Sequence, residues 1–97
     1  MSNTPNPEEF YAKLKIQLEE TSSWPTTYLF KFIVPSEESK ILQIENTFNN
    51  MGAVITKKLS GKGNYTSVSI NVIMEGPDAV IAKYREIGDS VEGVISL

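Results

Sequence analysis

The clearest pattern in this chain is the strict alternation of apolar and polar residues over residues 66–74. The apolar set consists of Thr66, Val68, Ile70, Val72 and Met74, and the intervening positions are mostly polar. Alternation with period two is typical of a strand that is covered on one face only. The pattern therefore predicts a strand over Tyr65–Met74 with one buried face.

The preceding residues 60–64 read Ser-Gly-Lys-Gly-Asn, and residues 53–59 form another short run that suits a strand. Glycine and asparagine tolerate the positive φ angles that tight chain reversals require. We therefore predict an antiparallel hairpin in which residues 53–59 pair with residues 65–74.

Two further strands are predicted at the ends of the domain. Residues 28–34 alternate, with Tyr28, Phe30, Phe32 and Val34 on one face. Residues 91–97 form the predicted last strand.

Two helices are predicted between the strands. The first begins after Pro35, with Ser36 as its cap, and ends near Gly52. The second begins at residues 76–78, Gly-Pro-Asp, and ends at Gly88. Their apolar faces consist of Ile41, Ile44 and Phe48 in the first, and Val80, Ile81, Tyr84 and Ile87 in the second.

An additional helix is predicted before the first strand, capped by Asn6. Phe10, Leu14 and Leu18 recur every four residues and form one apolar stripe. Because residues 14–18 also alternate, a short strand is the competing interpretation. We expect residues 1–23 to form a tail and helix, and residues 24–97 to form the domain.

The predicted order is a helix followed by βαββαβ. Right-handed crossovers place both later helices on one face of a four-stranded antiparallel sheet. The expected fold is therefore α+β, a ferredoxin-like two-layer sandwich with an extra N-terminal helix.

Composition excludes several kinds of chemistry. The 97 residues include no cysteine and no histidine, so disulfides, zinc sites built on these ligands, cysteine nucleophiles and histidine bases are excluded. We expect no catalytic residues, no cofactor and no metal. Residues 1–10 lack a basic region followed by an apolar core, and no apolar run is long enough to span a membrane. A cytoplasmic protein is therefore expected.

The hairpin turn is the first candidate site. Lys57, Lys58, Lys62, Gly63 and Tyr65 surround it, and amides in a glycine-rich turn next to lysines can hold an anion. The spacing matches no phosphate-binding loop. The simpler interpretation is a solvated hairpin tip whose charges deter edge pairing.

The open face of the sheet is the second candidate. RNA-recognition modules place stacked aromatic residues on such a face, where this chain has Tyr65, and the formal charge of −3 disfavours nucleic acid. The face also keeps apolar residues, so Phe10, Leu14 and Leu18 could dock across it, in the same chain or in a second copy. The alternative is that the N-terminal helix packs at a sheet edge or is mobile.

Residues 60–70, Ser-Gly-Lys-Gly-Asn-Tyr-Thr-Ser-Val-Ser-Ile, and the pair Trp24-Pro25 resemble the YbeD-like family of small uncharacterised bacterial proteins. Family members carry a similar Ser-Ser-x-Gly-x-Tyr-x-Ser-Val stretch, in which Gly61 stands where the second serine is usual. The resemblance implies a ferredoxin-like fold similar to the ACT regulatory domains, and it brings no catalytic residues.

The function expected from this resemblance is a small non-enzymatic regulatory module that contacts a protein or a small metabolite. ACT-like domains pair side by side, so a homodimer through a sheet edge or the open face is a further expectation. The alternative function is RNA binding through the open face and Lys57, Lys58 and Lys62.

Overall fold

The computed structural model describes residues 7–96, and the predicted cap Asn6 lies outside them. The elements are α1 (Pro7–Thr21), β1 (Thr26–Pro35), α2 (Glu38–Thr47), β2 (Val54–Leu59), β3 (Tyr65–Met74), α3 (Pro77–Ser90) and β4 (Ile95–Ser96). The four strands form one antiparallel sheet in the order β2-β3-β1-β4. The predicted ferredoxin-like α+β fold with an extra N-terminal helix is confirmed.

The core lies between one face of the sheet and the two helices α2 and α3. Phe30 from β1 and Val68 from β3 are fully buried there. Ile44 from α2 and Ile87 from α3 belong to the same cluster, so both helices cover the same face. Each such side chain stabilises the fold by about 1.5–3 kcal/mol through the apolar surface it removes from water. The predicted buried face of β3 is therefore confirmed.

The central pair of strands fixes which residues remain uncovered. β1 and β3 pair along their full length, from Thr26 opposite Met74 to Pro35 opposite Tyr65. Because the side-chain period is two, this register sends every odd-numbered residue of both strands to the side away from the helices.

The start of α2 and the end of α3 differ from the sequence prediction. The residue at the N-terminal cap of α2 is Glu37, and it makes no side-chain capping bond. The Ser36 hydroxyl instead hydrogen-bonds the hydroxyl of buried Thr66, 2.8 Å away. The helix α3 continues through Gly88 to Ser90, since glycine in a helix lowers its stability without ending it.

The last strand is shorter than predicted. Residues 91–97 were expected to be extended, but β4 comprises only Ile95–Ser96, and Leu97 lies outside the described residues. Val91 instead caps α3, with its N–H donating to the Ile87 carbonyl and its side chain buried in the core. Gly93, with φ of +80°, then turns the chain toward β4.

The N-terminal segment is helical, so the alternative of a short strand at residues 14–18 is wrong. The helix α1 packs against α3 on the covered side of the sheet. Leu18 enters the core, and its carbonyl accepts a hydrogen bond from the Trp24 indole. Arg85 of α3 forms two hydrogen bonds with the Glu8 carboxylate, at 2.9 and 3.0 Å. These bonds, together with the charge of Arg85, lower the pKa of Glu8 from its usual value.

The first prediction concerns the attachment of α1. Leu18→Ala should lower the free energy of unfolding by about 2–4 kcal/mol, because it leaves a cavity in the core. Ile16→Ala, on the exposed side of the same helix, should change it by less than about 0.5 kcal/mol. Urea denaturation measures both. Equal effects of the two substitutions would show that α1 adds nothing specific to the core.

Candidate functional site: the open face of the sheet

The side of the sheet opposite α2 and α3 has no helix over it within residues 7–96. The register places one set of side chains from all four strands on this open face. They are Thr27, Leu29, Lys31, Ile33, Val54, Thr56, Lys58, Tyr65, Ser67, Ser69, Asn71, Ile73 and Ile95. This surface combines apolar, hydroxyl and basic groups.

Apolar side chains cluster at one end of the open face. Leu29, Asn71 and Val54 lie side by side on β1, β3 and β2, and Ile73 follows on β3. Leu29, Val54 and Ile73 are 54%, 63% and 67% exposed. Their apolar surface is therefore available to a partner.

The middle of the face is polar and basic. Lys31, Ser69 and Thr56 form one row across the three strands, and Lys58 lies beside Ser67 in the next row. None of the strand positions that face this side carries an acid. In a chain of formal charge −3, this face is therefore locally positive.

The lysines of the open face differ from most other basic residues because they form no ion pair with a described residue. Five of the nine basic side chains pair with a carboxylate. Three of the remaining four, Lys31, Lys58 and Lys62, lie on the open face or in the adjoining turn, and none of them forms an ion pair with a described residue. Their charges remain available to an anionic partner.

A shallow pocket of about 250 Å³ lies where the hairpin turn meets the open face. It is lined by Ile33, Lys58, Leu59, Ser60, Gly61, Tyr65 and Ser67. The turn beside it is closed internally, because the Gly63 N–H donates to the Ser60 carbonyl and the Tyr65 N–H donates to the Ser60 hydroxyl. These two amides are therefore already engaged, which leaves fewer donors for an anion than the glycine-rich sequence suggests.

The structure brings together only part of the predicted turn site. Lys58 and Tyr65 line the same pocket. Lys57 instead forms an ion pair with Glu45 of α2, at 2.7 Å, since neighbouring residues of a strand point to opposite faces. Gly63 supplies the turn, with φ of +75°, and Lys62 is exposed at its tip. The pocket residues Ile33 and Ser67 could have been found from the strand register.

The predicted docking of Phe10, Leu14 and Leu18 across the open face of the same chain is wrong. An amphipathic stripe shows which side of a helix is buried, but it does not show which surface covers it. Leu18 is buried in the core on the covered side, Leu14 is half-buried beside it, and Phe10 is 55% exposed.

The serine and threonine hydroxyls of the open face have no histidine beside them that could act as a general base. The Ser67 hydroxyl donates a long hydrogen bond of 3.4 Å to the Lys58 carbonyl, and the chain contains no histidine. Within residues 7–96, no three carboxylates converge as a metal site would require. None of the helices in this range has the length and apolar character needed to cross a membrane. The groups on the face can bind by charge, hydrogen bonding and apolar contact.

Comparison with known proteins places the chain among bacterial relatives. Residues 19–95 match the family described as "Protein of unknown function (DUF493)". The UPF0250 proteins of Haemophilus influenzae strains Rd and PittEE are each 34% identical over 90 residues, which is 90% of this chain and 92% of each relative. No solved structure is significantly similar. The expectation of a small, uncharacterised bacterial family is confirmed.

The second prediction compares the effects on stability of substituting the two glycines of the turn. Gly63→Ala should lower the free energy of unfolding by about 1–2 kcal/mol, because alanine disfavours positive φ. Gly61→Ser should have little effect, since Gly61 lies outside the positive-φ region and a side chain there meets no atom within 4 Å. Thermal unfolding of both variants measures the difference. A neutral Gly63→Ala would contradict the described turn.

Proposed function

Since the chain belongs to the DUF493 family, whose members have unknown function, we propose its role from its geometry. We propose that it is a small non-enzymatic binding module that docks a partner protein on the open face of its sheet. The observation that carries this proposal is the uncovered surface on which exposed Leu29, Val54 and Ile73 adjoin a basic region. Lys31 lies in the row next to Leu29 and Lys58 lies in the row beyond, and neither forms an ion pair with a described residue.

The apolar end of the face supports a protein partner. Single exposed apolar side chains are common on protein surfaces, but a group of them on one uncovered face of a sheet resembles the centre of an interface. Leu29 and Val54 flank Asn71 in one row, and Ile73 extends the group along β3. A partner that covers these side chains gains the free energy of removing them from water.

The basic residues support a partner surface that combines apolar and acidic side chains. Lys31 lies next to Leu29, Lys58 lies one row further from the apolar end, and neither has an ion pair in the described part of the chain. Complementary charge steers two proteins together and fixes their orientation more than it adds affinity.

The resemblance to the YbeD-like family and to ACT domains supports a regulatory role for this binding. ACT-like domains act by contacting other domains or a second copy, often with a small metabolite at the seam. We therefore propose a cytoplasmic regulatory module, with protein contact as its primary activity. A shared fold does not by itself indicate a shared function, so the proposal depends on the side chains exposed on the open face.

The third prediction tests the face directly. Leu29→Glu combined with Ile73→Glu should weaken partner binding by about tenfold or more, because it places charge in the apolar centre and repels an acidic partner. The measurement is co-purification of the tagged chain from lysate of its own organism, followed by mass spectrometry. Quantitative binding is then measured with the partner that is identified.

The matched control is Leu42→Glu. Leu42 is 48% exposed on α2, on the opposite layer of the molecule. A protein retained by wild type and Leu42→Glu but lost from the face variant supports the proposal. A protein retained equally by all three binds elsewhere, and that result would overturn the role of the open face.

A second candidate function is RNA binding, and the observation that favours it is the position of Lys58 and Lys62 near Tyr65, with Lys31 further along the open face. None of these three lysines forms an ion pair with a described residue. The fourth prediction distinguishes the two functions by titration with mixed RNA at increasing salt. RNA binding through this face would weaken steeply with salt, because phosphate contacts release counterions, and Lys58→Glu would abolish it. A protein-binding module should show no such salt-dependent complex.

Sedimentation at increasing protein concentration tests whether the partner is a second copy. A dimer that is lost in the Leu29→Glu, Ile73→Glu variant would assign the face to self-association. A monomer at high concentration would exclude the homodimer and leave a different protein as the partner.

A further inference from the structure

Within residues 7–96, the strand β1 is only partly paired on the side of β4. It comprises ten residues, Thr26–Pro35, but β4 pairs only with Phe32 and Ile33. In the described part of the chain, residues 26–30 therefore have a strand partner on the β3 side alone. An edge of this kind presents unpaired backbone N–H and C=O groups, which another extended chain can pair with.

A cavity lies along this incomplete edge. Its volume is about 280 Å³, and it is lined by Phe10, Tyr11, Leu14, Tyr28, Tyr84 and Ser96. Ser96 belongs to β4, whereas Tyr28 belongs to the unpaired part of β1. The cavity is therefore located on the line that β4 would follow if it continued, on the covered side of the sheet.

The lining of the cavity suits a large apolar side chain. Aromatic rings from α1, β1 and α3 surround it, and Phe10 is 55% exposed at its border. The hydroxyls of Tyr28 and Tyr84 are 2.9 Å apart and form a hydrogen bond with each other. These two hydroxyls of the cavity wall are therefore already paired, and the wall is mostly apolar. Burial, and then the bond to Tyr28, raise the pKa of Tyr84, which keeps this hydroxyl neutral.

We propose that this edge binds an extended segment of a partner protein, antiparallel to β1 and in line with β4, with an apolar side chain in the cavity. The register of β4 on β1 shows to which side each side chain of this segment would point. Ser96 is opposite Phe32, so segment residues opposite Phe30 and Tyr28 point to the covered side. The residue opposite Tyr28 adjoins the cavity and is large and apolar.

In the proposed partner segment, the residue between these two positions is acidic. It lies opposite Leu29 and points to the open face, where Lys31, which forms no ion pair with a described residue, is its diagonal neighbour. Diagonal residues on adjacent strands are about 7–8 Å apart, within reach of a long side chain. The segment therefore has the pattern apolar, acidic, apolar. This site is at the β1 edge, so it does not depend on the function proposed for the open face.

The test uses a synthetic peptide, acetyl-Leu-Asp-Phe-Thr-Val-amide, which begins opposite Phe30, titrated into the full chain and followed by NMR. Leucine, aspartate and phenylalanine are placed opposite Phe30, Leu29 and Tyr28. We expect shifts at residues 26–30, Tyr84 and Phe10, and slower exchange of alternate β1 amides. The matched control peptide exchanges the aspartate and the phenylalanine, and it should bind about tenfold more weakly or not at all.

Two variants of the chain test the cavity. Phe10→Asp should weaken peptide binding by about tenfold, the effect of losing one apolar contact. Ile16→Asp is the control, since Ile16 is on the same helix, is 54% exposed and does not line the cavity. Both positions are exposed, so both variants should remain folded, and circular dichroism checks this.

Backbone pairing is tested separately with N-methylated peptides. In an added strand, alternate amides face β1, so methylation of one alternate set should abolish binding and methylation of the other should not. Equal tolerance of both sets would show that no strand is added. Equal binding of the control peptide, shifts confined to the open face, or a concentration-dependent dimer that occupies this edge would each overturn the proposal.

Discussion

The structure depends on the pairing of β1 with β3. These two central strands are in register over their full length, and the same register decides which side chains are buried and which stay in contact with water. If β3 shifted by one residue relative to β1, Val68 would be exposed and Ser69 would be buried, while Phe30 of β1 kept its place under the helices. The core and the proposed binding face are therefore two results of a single constraint.

Charge is distributed unequally between the two layers. The helical layer contains ion pairs such as Lys15 with Asp78 and Lys40 with Glu37. The open face contains lysines without acidic neighbours among the described residues. A net charge of −3 therefore conceals a surface of the opposite sign, and average composition is a poor guide to the partner of a small domain.

Much of the fold followed from the sequence because strand alternation or helix periodicity identifies β1, β3, α2 and α3 without conflict. Successive residues of a strand point to opposite faces, and this rule alone assigns the two faces of β3 and places Lys57 and Lys58 on opposite sides of the sheet. The place of α1 could not be predicted, because its stripe would suit any apolar surface. The late start of β4 could not be predicted either, since Val91 has the composition of a strand residue but completes the core below α3.

The helix α1 is anchored unequally along its length. Its last turns are held by the buried Leu18 and by the hydrogen bond from Trp24, which are shielded from water. Its first turns are held by the exposed pair of Glu8 with Arg85 and by the stacking of that guanidinium on Tyr11. Exposed pairs contribute little and are screened by ions, whereas buried contacts are not. We therefore expect fraying to begin at the first turns, which would open one wall of the aromatic cavity by local motion while the rest of the domain stays folded.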